Sequence, residues 1–139
     1  MDELRRQTWV RTAVFVGSGY ALVGILFAVP ATHVQAWRLA AWIVSAVGYG
    51  AHIVYERFRL RNSAACSALH VAFAAALGGF GLALGANIHS LSSGLTNPHQ
   101  QLLLLALGIW PAITGLPAFL VALGTLFVLG RALGNVQGR

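Results

Sequence analysis

Four long apolar stretches, separated by short polar ones, make up almost the whole chain. The first covers residues 12–29 and is closed by Pro30. The others cover about 39–55, 63–88 and 102–130. At a rise of 1.5 Å per residue, each reaches across the roughly 30 Å hydrocarbon layer of a bilayer. Peptide groups cannot stay unpaired in lipid, so each stretch is predicted to be a helix. None alternates apolar and polar residues as a barrel strand must. The predicted fold class is therefore all-α, a polytopic integral membrane four-helix bundle forming a single transmembrane domain over 1–139. The connections at 31–38 and 56–62 are short enough to make their helices antiparallel neighbours. The longest, 89–101, carries the turn-forming Gly94 and Asn97-Pro98.

Charge gives these helices a direction. All nine basic residues are Arg. Arg5, Arg6 and Arg11 precede the first stretch, Arg57, Arg59 and Arg61 separate the second from the third, and Arg131 and Arg139 follow the fourth. Only Arg38 lies in the remaining connections. The positive-inside rule then puts both termini in the cytoplasm. The first stretch also resembles a cleavable signal, with Val34-Gln35-Ala36 as a small-residue site. Its 18 residues (12–29) exceed the usual signal core, and it is expected to be retained. The fourth stretch contains Pro111 and Pro117, and one long kinked helix is favoured over two separate pieces.

Composition removes other classes. With 58% hydrophobic and 9% charged residues, the chain is neither a soluble enzyme, nor disordered, nor a disulfide scaffold. The single cysteine, Cys66, permits no internal disulfide. The sequence pI of about 11.2 does not signal nucleic acid, because the arginines flank apolar runs instead of forming a soluble patch. Anionic lipid headgroups are the expected partners of Arg57, Arg59 and Arg61. The Arg-only, Ala- and Gly-rich composition fits a bacterial protein, and the expected location is the inner (cytoplasmic) membrane, crossed several times.

Small residues recur at helical spacing: Ala13, Gly17, Ala21, Gly24 and Ala28; Ala74, Gly78, Gly81 and Gly85; Gly108, Gly115, Ala118, Ala122 and Thr125. Such stripes let helix backbones approach in lipid. They are expected to pack mainly within the chain, with one available for another subunit. Trp9, Trp37, Trp42, Tyr55 and Phe58 read as membrane-interface aromatics. Trp110 reads as a core residue or as the lining of a kink.

The polar positions suggest chemistry. Ser45, Tyr49, His52 and Glu56 fall on one face of the second helix, and His70 lies at the same end of the third. An ionisable residue inside a span is a functional candidate by default. The leading expectation is a small structural or assembly subunit, a homo-oligomer or a component with other membrane subunits, whose histidines bond across helices. The second is a b-type haem or quinone-linked electron-transfer protein with His52 and His70 as ligands. The third is a small proton-linked transporter or channel using the His52–Glu56 stripe. His33, His89 and His99 are weak metal candidates without a fixed spacing. Catalysis is not expected: Cys66 and His70 form an i, i+4 pair able to build a nucleophile, but the sequence shows no third group to orient it.

Overall fold

The computed structural model describes residues 2–28, 34–60, 62–92 and 98–137. They form four helices, α1 (Asp2–Ala28), α2 (Val34–Phe58), α3 (Ala64–Ser92) and α4 (Gln100–Gln137). Each is longer than its apolar stretch, most clearly at the start of α1 and the end of α4. Arg, Glu, Gln, Ala and Leu in these flanks are good helix formers with no proline to stop them, so the helix continues past the apolar boundary. Trp9 is accordingly inside α1 instead of ahead of it.

Local chemistry sets the other ends. Ser63 caps α3: its Oγ accepts from the Cys66 N–H at 3.3 Å and its carbonyl from the Ser67 N–H at 2.9 Å. α4 is one continuous helix of 38 residues holding Pro111 and Pro117. Each proline removes one backbone donor. Thr114 Oγ1 turns back onto this region, donating to the Trp110 carbonyl at 2.8 Å.

Three helical segments, Thr8–Leu26, Ala64–Ser92 and Gln100–Ala132, are long and apolar enough to cross a membrane. α2, expected as a fourth, is not among them. The cause is the polar stripe on that helix, where Tyr49, His52 and Glu56 dilute its apolar residues.

α3 is the central helix. It packs along α1 on one side and α4 on the other, while α2 lies mostly against α1. The α1–α3 contact runs parallel and is made by small residues. A Cβ at Gly17 would meet Leu77 Cβ at 2.7 Å and the Ala74 carbonyl at 2.9 Å. A Cβ at Gly78 would meet Tyr20 Cβ at 2.7 Å, and one at Gly81 would meet Ala21 Cβ at 2.7 Å. The antiparallel α3–α4 contact is as close: a Cβ at Gly79 would meet Thr114 Oγ1 at 2.5 Å, and one at Gly115 would meet Ala76 Cβ at 3.1 Å. By contrast, Gly108 and Gly124 meet nothing. Beside the polar end of α3, an apolar core gathers Ile53, Ala68, Val71, Ala122 and Leu126 from α2, α3 and α4. Trp110 belongs to no core; it is half exposed, as are many large apolar side chains of α2 and α4.

Candidate functional site

Glu56 is the focus of the one charged cluster inside the bundle among the described residues. It is fully buried. A carboxylate in such a place is costly unless donors surround it. Three groups do so. His70 Nδ1 lies 3.0 Å from Oε2. Asn62 Nδ2 donates to the same oxygen at 3.1 Å. His52, one turn earlier on α2, brings Nε2 to 3.7 Å from Oε1. This last distance is an ion-pair contact and not a hydrogen bond, and both ring nitrogens of His52 and Glu56 Oε1 are left without hydrogen-bond partners.

His70 is held from every side. Its Nε2 stands 3.5 Å from Cys66 Sγ. The Trp9 ring stacks on the imidazole with centroids 4.4 Å apart and planes within 2°, and Trp9 meets Phe73 edge-on. Stacking of this kind fixes the ring plane and adds to the burial of both groups. The cluster thus joins α1, α2, α3 and the loop residue Asn62. Trp9 and Asn62 could not be found from periodicity, because one reaches the site from a different helix and the other from a connection.

The remaining sequence candidates separate. Tyr49 donates its hydroxyl to the Ala118 carbonyl and so ties α2 to α4, away from Glu56. Ser45 is half-buried further along α2 and takes no part in the cluster. His52 also forms part of the wall of an open groove of about 600 Å³ between α1 and α2, whose other walls include Arg11, Phe15, Gly48 and Tyr55. Arg57 is half-buried and Arg59 exposed; Arg61 lies outside the described residues. His89 and His99 are exposed, and His33 lies outside the described residues. Among the described residues no three His, Cys, Asp or Glu side chains form a metal-binding group.

A second polar knot sits at the other end of α3. Asn87 Nδ2 donates to the Ala83 carbonyl at 2.9 Å and to the Leu103 carbonyl of α4 at 2.7 Å. Gln100 Nε2 donates to Asn87 Oδ1 at 3.3 Å, and Ser90 Oγ donates to Gln100 Oε1 at 2.8 Å. Comparison with protein families, with curated proteins and with solved structures finds no match to this chain.

Proposed function

We propose that the chain is a four-pass membrane protein with both termini in the cytoplasm, acting as a structural or assembly subunit in the inner membrane of a bacterium. The observation that carries this reading is the convergence of His52 and His70 on one buried carboxylate. His70 of α3 grips Glu56 of α2 and acts as a lock between the two helices, while His52 approaches the same carboxylate from within α2. Axial haem ligation would require one ring nitrogen of His70 to leave either Glu56 or Cys66. In the four-pass reading α2 crosses in spite of its polar stripe, because Glu56 and His52 are buried inside the bundle, away from lipid. Arg11, Arg57, Arg59 and Arg131 then share the cytoplasmic end with this cluster.

Self-association is supported by what the fold leaves unused. The interior consumes Gly17, Gly78, Gly79, Gly81 and Gly115, whereas Gly108 and Gly124 of α4 have no neighbour. Open small positions on a half-exposed helix suit a neighbouring chain. Native mass spectrometry from nanodiscs tests the reading. A defined oligomer, or a stable complex with other membrane subunits, is expected, with no Soret band in the oxidised or dithionite-reduced protein. A strictly monomeric protein without partners, or stoichiometric haem lost in His70→Ala, would overturn it.

A further inference from the structure

Cys66 stands one helical turn before His70 on α3, with Sγ 3.5 Å from Nε2. On the far side of the imidazole, Nδ1 lies 3.0 Å from Glu56 Oε2. An ionised carboxylate only accepts hydrogen bonds, so Nδ1 carries the proton and Nε2 faces the thiol as an acceptor. That tautomer is the one a base needs to take a proton from a nucleophile. Thiol, imidazole and carboxylate stand in series, the arrangement that defines a nucleophilic triad by roles and geometry whatever the fold. The group missing from the sequence pair is supplied by a different helix.

Other features suit the same role. Cys66 lies in the first turn of α3, the positive end of the helix dipole, and its side chain is half-buried and not sealed. Asn62 on Glu56 and Trp9 on His70 fix the carboxylate and the ring. Independently, His52 is only 4% exposed, directs Nε2 towards Glu56 Oε1, and has no hydrogen bond on either ring nitrogen. A cluster serving packing alone would not be expected to retain such atoms, since each buried unpaired polar group is costly. Leu69 and Phe73 follow Cys66 at i+3 and i+7 and are exposed, so an apolar face leads away from the sulfur.

We propose that Cys66 is a base-assisted acyl acceptor, taking an aliphatic acyl group from an activated ester or thioester. The thiol proton passes to His70 Nε2 as sulfur bonds to the carbonyl carbon. The bond from that carbon to the leaving oxygen or sulfur breaks with its electron pair, and the leaving group takes the proton from Nε2. The products are a Cys66 thioester and a free alcohol or thiol. Glu56 and Asn62 touch no reacting atom and act as positioning residues through His70.

The test uses the full chain in detergent with p-nitrophenyl octanoate, followed by nitrophenolate release and intact mass. The expected result is one acyl adduct per chain, absent in Cys66→Ser, formed at least about ten-fold faster in the folded protein than in SDS and urea. His70→Gln is expected to lower the folded rate on the order of 10²-fold. Glu56→Gln, in protein shown to be folded by the hydrogen-exchange protection of α3, should lower it less and shift the pH–rate profile, which a role confined to packing would not do. The proposal is overturned if the folded wild-type chain reacts no faster than the denatured one, or if folded His70→Gln reacts at the wild-type rate. Should a variant not fold, the wild-type comparison decides alone.

Discussion

The two ends of α3 solve the same problem in different ways. Around Asn87 the polar groups are neutral, come from α3 and α4 only, and are joined by four hydrogen bonds of 2.7–3.3 Å. Around Glu56 ionisable groups from α2 and α3 meet, flanked by the neutral Trp9 of α1 and the loop residue Asn62, and His52 and one carboxylate oxygen are left without hydrogen bonds. The neutral knot is what helix pairing in lipid requires, each donor having an acceptor. The ionisable knot retains unspent capacity where packing alone would have been served by apolar side chains. Chemistry is therefore sought at the Glu56 end, and plain adhesion at the Asn87 end.

Substitutions can break this contrast, beginning with the largest expected effect. Glu56→Ala leaves two buried imidazoles without their carboxylate and is expected to cost about 3–5 kcal/mol, read from reversible unfolding in mixed micelles. If the cost is under about 1 kcal/mol, the cluster does not hold the helices together. Between the knots, Gly79→Val drives side-chain carbon into Thr114 and the Trp110 carbonyl. A loss of about 1–3 kcal/mol is expected, together with weaker protection of the α3–α4 amides from hydrogen exchange. Gly124→Val, which meets nothing within the chain, should leave monomer stability unchanged and register only in native mass if α4 is a subunit contact. Asn87→Leu deprives Gln100 of its acceptor and frees the Leu103 carbonyl; a loss of about 1–3 kcal/mol in the same unfolding measurement is expected. Tyr49→Phe removes a single interhelical hydrogen bond and should cost about 0.6 kcal/mol, so an effect above 2 kcal/mol would place Tyr49 in a larger network.

Much of the fold is legible in the order of residues, for reasons that also set the limits. Lipid-compatible helices need unbroken apolar runs, so the runs reveal four helices. Their ends are hidden, because flanks such as 2–11 and 131–137 are polar yet helix-forming. The stripes of α1, α3 and α4 mark close approach, but which stripes meet depends on the parallel pairing of α1 with α3. Glu56 one turn beyond His52 follows from helical spacing, as does Cys66 one turn before His70. The bond between Glu56 and His70 depends on the relative rotation of two helices, which no spacing within either one encodes. The stacking of Trp9 on the His70 imidazole is hidden for a related reason: an aromatic beside arginines reads as an interface anchor, and its contact with another helix is not encoded in spacing along α1. The polar stripe of α2 signalled an inward face, and it also made α2 the least membrane-like of the four helices.

The central place of α3 has a consequence for how the chain is made. Helices α1 and α2 leave the ribosome before the helix that joins them. Gly17 meets Leu77, and Glu56 meets His70 14 residues further along the chain. At about 5–20 residues per second, Glu56 waits roughly one to three seconds before its main partner is synthesised. During that interval the first hairpin is a half-built object whose carboxylate lacks its His70 partner. The arrival of α3 both covers that charge and closes the glycine face of α1, so quality control during insertion has one moment to inspect: an intermediate that has received α2 but has not yet been clasped by α3.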